Sequence, residues 1–199
     1  MTPPWSDTDH PISHLDRIVR ETRAWVRHAV VGLNLCPFAK APMVKDQIRY
    51  VVCDAGNETG LLAALETELA TLAETDLEQV ETTLLIHPNL FADDFLAFND
   101  FLDAAEAAVE ALGHGGVFQI ASFHPHYQFA GTAPDELGNA TNRSPYPTLQ
   151  LLRESSVTRA IDDFSEAEAI FEANVRRIEA LGTEGWAALR ARCRADATE

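Results

Sequence analysis

In the first 112 residues, apolar residues recur at helical spacing in three stretches, separated by charged or polar positions. The first predicted helix begins at a capping box over residues 13–16 and ends near Gly32, with arginines on the faces that its apolar stripe leaves free. Two more helices are predicted over residues 58–74 and 93–112, the second with Gly113 as its C-cap. Each helix is expected to bury one face.

Short apolar and β-branched runs predict strands over residues 47–53, 82–86 and 117–123. Helices separate these strands along the chain, and such alternation is typical of parallel strands joined by right-handed crossovers. The prediction is an α/β fold with a three-stranded, mostly parallel βαβαβ sheet covered by helices. A ferredoxin-like α+β sandwich stays open as the alternative, because one undetected short strand in the loop regions would permit it.

The C-terminal part of the chain is predicted to be helical up to its end. Four helical segments are expected, over residues 149–153, 157–161, 166–181 and 184–194. Residues 1–12, which include three prolines, are predicted to form a flexible N-terminus. The rest of the chain, residues 13–199, has no internal repeat and no long linker, which predicts one globular α/β domain.

Charge is unevenly distributed along the 199 residues, which carry 15 Lys and Arg against 31 Asp and Glu, a formal net charge of −16. Residues 58–112 hold 13 acidic residues and no Lys or Arg. A surface this acidic repels phosphodiester backbones, so nucleic acid is not expected as a partner. Two helices with solvated acidic faces explain the pattern most simply; a metal-binding acidic patch and an acidic face that meets a basic partner protein are the alternatives.

Location and redox state follow from features that the sequence lacks. Neither a secretory signal pattern nor a run of about 18 apolar residues is visible, so a cytoplasmic location without a membrane partner is predicted. The three cysteines, Cys36, Cys53 and Cys193, are widely spaced and form no CxxC pair, so reduced thiols are expected. No glycine-rich dinucleotide or phosphate-loop motif occurs, and the sequence therefore assigns no cofactor.

Histidines follow two of the predicted strands. His87 comes directly after the second strand, and His124 and His126 come after the third. If the strands are parallel, these residues share the edge where α/β sheets usually bind ligands. Proline keeps His124 extended, and its ring is interpreted either as a general base or as a strand-end histidine bonded to a backbone carbonyl. His87, His124 and Cys36 are also considered as transition-metal ligands, although no characteristic metal spacing is present.

A long loop over residues 125–147 follows the third strand, and its aromatic residues favour an ordered functional loop over a linker. Within it, Arg143 is the first Lys or Arg after Arg49. A guanidinium among asparagine, serine and tyrosine predicts binding of a carboxylate or phosphate, although these residues could equally form a self-satisfied turn network. Cys36, in a Cys-Pro turn after the first helix, is interpreted either as a nucleophile or as a small buried side chain.

Several motifs in a fixed order carry a resemblance. They are GLNLCPFA at 32–39, TTLLI at 82–86, SFHP at 122–125, YQFAG at 127–131, the loop at 139–147, and LLRE at 151–154. Over roughly residues 15–190 the chain resembles the bacterial proteins of the domain-of-unknown-function family 1415, which brings no activity with it. The resemblance gives weight to Cys36, His124, Gln128, Asn142, Arg143, Tyr146, Arg153 and Glu154. Relatives often have histidine where this chain has Gln150 and an acidic residue where it has His126, which weakens the case for a metal.

The resulting hypothesis is a small cytoplasmic enzyme that acts on an anionic small molecule by His124-mediated proton transfer at the carboxyl edge of the sheet. The predicted catalytic residues are His124, Cys36 and Tyr146. The predicted substrate-binding residues are Arg143, Asn142, Arg153, Gln128 and Glu154. Two alternatives stay open: a non-catalytic binding or assembly module with an acidic partner-binding face, and a transition-metal-binding protein.

Overall fold

The fold is seen in a computed structural model, which describes residues 12–163 and 167–198. The helices are α1 (His14–Trp25), α2 (Lys40–Val44), α3 (Glu58–Glu74), α4 (Phe95–Ala111), α5 (Glu154–Asp163) and α6 (Ala167–Asp196). The strands are β1 (Ile48–Val52), β2 (Thr82–Ile86), β3 (Phe118–Phe123) and β4 (Thr148–Arg153). A π-helical segment (Val26–Val31) extends α1, and a 3₁₀ helix (Leu137–Asn142) lies in the loop before β4. Apart from residue 12, the predicted flexible N-terminus lies outside the described residues.

Side-chain caps define the starts of the first three long helices. The Ser13 hydroxyl accepts the backbone N–H of Asp16 at 3.1 Å, as the predicted capping box requires. Asn57 and Asp94 cap α3 and α4 in the same way, through the backbone N–H groups three residues later. The cap at Asn57 explains why α3 begins where it was predicted to begin.

The four strands form one mixed sheet in the order β1-β2-β4-β3. β1 and β2 pair in parallel, whereas β4 is antiparallel to both of its neighbours. The predicted mixture of helices and strands is confirmed, but the three-stranded, mostly parallel sheet is wrong. The extra strand that the ferredoxin-like alternative needed is present, yet the chain order β-α-β-α-β-β and the parallel β1–β2 pair differ from that fold.

β4 occupies the stretch predicted as a helix over residues 149–153. Its side chains alternate: Leu149 and Leu151 face α3 and α4, and Gln150 and Leu152 face α1. Six residues with leucines on both faces fit either period, and only pairing with two distant strands selects the extended form. Because β4 runs against both β2 and β3, the strands β1, β2 and β3 point the same way and their carboxyl ends share one edge.

Helices cover both faces of the sheet. α3 and α4 pack on one face through a leucine- and phenylalanine-rich core, and α1 and α6 pack on the other around Trp25, Ile178 and Trp186. The predicted break between two C-terminal helices appears within α6 at Gly182, whose φ of 73° is left-handed. Residue 166, where one of those helices was predicted to begin, lies outside the described residues. Over the described ranges, no helix combines the length and apolar character needed to cross a membrane.

Candidate functional site

Several of the predicted site residues lie near the carboxyl edge that β1, β2 and β3 share. Their side chains, however, lie on opposite faces of the sheet. His87 and His124 follow β2 and β3 and pack under α4. Arg143 and Tyr146, in the loop before β4, face α1 and α6 instead. The predicted meeting point of a histidine and a guanidinium is therefore divided by the sheet.

His124 is fully buried, and both of its ring nitrogens have backbone partners. Nε2–H donates to the Phe91 carbonyl at 2.8 Å, and Nδ1 accepts the backbone N–H of His126 at 3.0 Å. The ring stacks on Phe98 with 5.2 Å between centroids, and burial lowers its pKa. Of the two interpretations of His124, this geometry matches the strand-end histidine bonded to a backbone carbonyl.

His87 lies beside His124 in the same core. It is fully buried, its Nδ1–H donates to the Leu90 carbonyl at 3.1 Å, and burial lowers its pKa to about 4. Cys36 lies on the far side of the sheet, so the three residues considered as metal ligands are not brought together. Among the residues that the structure describes, no three His, Cys, Asp or Glu side chains are grouped to hold a metal ion.

A cavity of about 280 Å³ lies between the carboxyl edge of the sheet, α1 and α6. We call it the edge pocket and define it by Glu21, Arg143, Tyr146, Trp186, Arg190 and Arg194. The loop before β4 supplies Arg143 and Tyr146, α1 supplies Glu21, and α6 supplies the other three. The pocket is thus built by three separate parts of the chain.

The edge pocket concentrates positive charge in an acidic protein. Three guanidiniums line it against one carboxylate, and within the described ranges no carboxylate forms an ion pair with Arg143, Arg190 or Arg194. Burial lowers the pKa of Arg143, and the nearby charge of Arg190 lowers it further. The two arginines therefore repel each other, and neither forms an ion pair with a carboxylate in the described part of the chain.

Backbone carbonyls hold Arg143 in place. Its Nε–H donates to the Tyr127 carbonyl at 3.2 Å and its Nη2 to the Pro134 carbonyl at 2.6 Å. A guanidinium has five N–H donors, so most of them remain for another partner. The two carbonyls thus fix the position of the Arg143 side chain and leave three of its five N–H donors for a ligand.

Two further polar groups of the edge pocket differ in how they are satisfied. The Tyr146 hydroxyl donates to the Glu21 carboxylate at 2.9 Å, and burial followed by the charge of Glu21 raises the pKa of Tyr146 to about 12. Trp186 is only 6% exposed, and its Nε1–H is buried without a hydrogen-bond partner among the described residues. Such an unused donor carries a desolvation cost of about 1–3 kcal/mol unless a ligand or water accepts it.

A second, separate cavity of about 380 Å³ lies over the sheet face that α1 covers. We call it the sheet cavity; Cys36, Asn142, Gln119 and Gln150 are its main polar members and Trp25, Phe38 and Phe123 its aromatic ones. The backbone N–H groups of Phe38 and Ala39 point to the Cys36 sulfur, but burial is the larger effect and raises the pKa of the thiol. Cys36 is therefore protonated at neutral pH.

Comparison with known proteins identifies the family. The family model described as "Protein of unknown function (DUF1415)" matches residues 17–188. The chain belongs to the DUF1415 family. No curated protein and no solved structure matches the chain. The matched segment includes Glu21, Arg143, Tyr146 and Trp186 of the edge pocket, whereas Arg190 and Arg194 lie beyond it.

Four of the predicted substrate-binding residues of this DUF1415 protein do not line the edge pocket. Asn142 lines the sheet cavity, and its Nδ2 lies 3.5 Å from the Ser122 carbonyl. Nη2 of Arg153 contacts the carbonyls of Leu72, Thr75 and Val80 within 2.8–3.1 Å and so caps the end of α3. Gln128 donates to the Thr132 carbonyl at 2.6 Å, and Glu154 begins α5. Of the predicted set, Arg143 and Tyr146 are the members that line the edge pocket.

The remaining polar members of the edge pocket were not predicted. Trp186, Arg190 and Arg194 recur at i, i+4 and i+8 along α6 and so share one face of the helix. This four-residue spacing could have shown that one face of a C-terminal helix carries a tryptophan and two arginines. No sequence pattern, however, predicts that this face of α6 lies near Arg143, because that proximity depends on how α6 packs against the loop before β4.

Proposed function

We propose that this DUF1415 protein binds a small anionic molecule, a carboxylate or a phosphate, in the edge pocket. The supporting observation is that Arg143 and Arg190 line the same cavity without an ion-pair partner among the described residues, in a chain whose net charge is −16. Electrostatic repulsion between two cations is relieved when an anion lies between them. The cavity volume of about 280 Å³ suits a compact metabolite rather than a polymer.

The hydrogen-bonding groups of the pocket support the same class of ligand. The free N–H donors of Arg143 are available to a ligand, and the buried Nε1–H of Trp186 lacks an acceptor among the described residues. Carboxylate and phosphate oxygens are strong acceptors, and a planar guanidinium binds either of them through two parallel bonds. A neutral ligand would leave the arginine charges unpaired.

The chemistry of the pocket favours binding over proton transfer. Tyr146, with a pKa of about 12, keeps its proton at neutral pH and donates a hydrogen bond to the Glu21 carboxylate. The two nitrogens of His124 are engaged elsewhere, so proton transfer by this ring would first require one of its backbone bonds to break. We therefore propose anion binding rather than catalysis, and of the residues predicted from the sequence, Arg143 and Tyr146 belong to the proposed binding site.

Calorimetric titration with inorganic phosphate and with acetate, at low ionic strength, tests the proposal. Arg190→Gln removes one guanidinium from an exposed position, so the fold is expected to survive. Arg176→Gln is the matched control: this arginine also lies on α6, but pairs with Glu172 at 3.2 Å outside the pocket. We expect Arg190→Gln to weaken binding of the preferred anion about tenfold, and Arg176→Gln to leave it unchanged.

Arg143→Gln provides the second variant. It should weaken anion binding at least as much as Arg190→Gln, with some loss of stability because the Tyr127 and Pro134 carbonyls lose their donor. The proposal is overturned if neither anion binds the wild-type protein, or if the control loses as much affinity as Arg190→Gln.

A further inference from the structure

The floor of the sheet cavity is mostly apolar but carries two glutamine amides where a packed core would have only apolar side chains. On the opposite face of the sheet, β3 and β4 present Phe118, Ile120, Leu149 and Leu151 to the core. On the cavity side the same strands present Gln119 and Gln150, with the small Ala121 directly opposite Gln150. The small side chain leaves room above the sheet, and the two amides face that room.

Gln119 and Gln150 keep hydrogen-bonding capacity for a ligand. Nε2 of Gln150 donates to the Thr82 hydroxyl at 3.1 Å, which in turn donates to the Leu151 carbonyl at 2.7 Å, so the amide oxygen of Gln150 stays free. The side chain of Gln119 has no hydrogen-bond partner in the described part of the chain. The two glutamines are diagonal neighbours on adjacent strands, about 7–8 Å apart between their Cα atoms. One ligand edge can reach both amides.

Aromatic and apolar side chains form the other walls. Trp25 and Phe123 meet edge to face with 5.2 Å between ring centroids, and Phe38 lies nearby on the cavity wall. Glu81 is the one charged residue among the described lining residues, and it can accept a hydrogen bond from an amine. Without a lysine or arginine in that lining, the cavity offers no counter-charge to an anion.

We propose that the sheet cavity binds an uncharged, planar amino-heterocycle. Its rings would lie between the aromatic walls, and its donor–acceptor edge would bond to the amides of Gln119 and Gln150. The volume of about 380 Å³ fits a two- or three-ring molecule and lies within the usual range for small-molecule sites. This cavity shares one wall residue, Trp25, with the edge pocket, and the proposal does not depend on anion binding there.

The Cys36 thiol reports occupancy of the cavity. It lines the cavity wall and is partly exposed, whereas Cys53 and Cys193 are 8% and 2% exposed and serve as slow internal references. The probe is 6-benzylaminopurine, an uncharged planar aminopurine. At about ten times its Kd it should slow alkylation of Cys36 by N-ethylmaleimide about tenfold, because only the unoccupied fraction reacts. Naphthalene, which lacks the hydrogen-bonding edge, and benzoate, an anion, should protect far less.

Variants of the floor complete the test. Gln150→Leu and Gln119→Leu should each weaken protection about tenfold, and Gln79→Leu, an exposed glutamine away from the cavity, should not. Ala121→Phe fills the space and should abolish protection, while a wild-type circular dichroism spectrum and a cooperative urea transition show that the variant is folded. The proposal is overturned if 6-benzylaminopurine gives the wild type no protection, if protection survives Ala121→Phe, or if naphthalene protects equally well.

Discussion

The Tyr146 hydroxyl donates a hydrogen bond of 2.9 Å to the Glu21 carboxylate, which joins the loop before β4 to α1 across 125 positions of sequence. The bond closes one side of the edge pocket. It also directs the single carboxylate of the pocket toward the phenol, while Arg143 and Arg190 stay unpaired among the residues described. The positive character of the pocket depends on this arrangement.

Tyr146→Phe should lower the free energy of unfolding at pH 7 by about 1 kcal/mol, since one hydrogen bond to a charged group is lost. The substitution should also change how the free energy of unfolding depends on pH above pH 10. The pKa of Tyr146 is raised from 10.0 to about 12, so its contribution is complete below pH 10 and is lost as the pH rises toward 12.

Urea unfolding between pH 8 and pH 12 measures this effect. Tyr50, whose pKa burial also raises to about 12, contributes a similar loss, so Tyr50→Phe is the comparison variant. We expect each single variant to flatten the alkaline decline and the double variant to flatten it most. An alkaline decline in Tyr146→Phe as steep as in the wild type would show that the bond to Glu21 does not hold the phenol neutral.

Glu21→Gln should strengthen anion binding. The amide still accepts the Tyr146 hydroxyl, so the geometry is retained while the negative charge of the pocket is removed. The gain expected for one partly exposed charge is about threefold in phosphate affinity, and it should shrink as salt is added. Titration calorimetry at two ionic strengths checks both points. Weaker phosphate binding by this variant would mean that the carboxylate, rather than the guanidiniums, contacts the ligand.

His124→Ala should cost about 3 kcal/mol of stability, because it removes a buried ring and leaves the Phe91 carbonyl and the His126 N–H without partners. Phosphate affinity of the folded protein should stay unchanged, since the ring faces α4. His14→Ala, at the exposed start of α1, should cost far less. If His124→Ala abolished phosphate binding without changing stability, His124 would have to be part of the anion-binding site.

Acid should destabilise the wild type through the same core. The pKa of His87 is lowered from 6.5 to about 4, and the pKa of His124 is lowered in the same direction, both by burial. Their contribution is present above pH 6.5 and is lost as the pH falls toward 4, because the unfolded chain takes up protons first. His87→Asn, which can still donate to the Leu90 carbonyl, should have a flatter stability profile between pH 7 and pH 4.5. An unchanged profile would show that His87 is not held neutral.

Much of the fold follows from local signals in the sequence. The capping residues Ser13, Asn57 and Asp94 and the apolar stripes that follow them specify α1, α3 and α4, because both signals lie within a few residues of the helix start. β2 was also predicted with its observed bounds, since a β-branched pair and three apolar residues form a run too short for a helix. Such elements need little information from the rest of the chain.

β4 and the edge pocket could not be predicted from local sequence patterns, because both depend on contacts between distant parts of the chain. β4 becomes a strand because Leu84 and Ala121, on two different strands, pair with Gln150 from either side. The edge pocket likewise depends on α6 folding back over the loop, which brings Arg190 close to Arg143 although they lie 47 positions apart in the sequence. The shared direction of β1, β2 and β3 was anticipated, but side-chain alternation then decided which face each histidine took.

Locating an anion in crystals soaked in sodium selenate tests the central claim most directly, because selenium can be identified by its anomalous scattering. The account predicts an anomalous peak in the edge pocket, within hydrogen-bonding distance of the guanidiniums of Arg143 and Arg190 and of the Trp186 Nε1–H. Selenate bound elsewhere on the molecule, with an open edge pocket that holds only water, would contradict it.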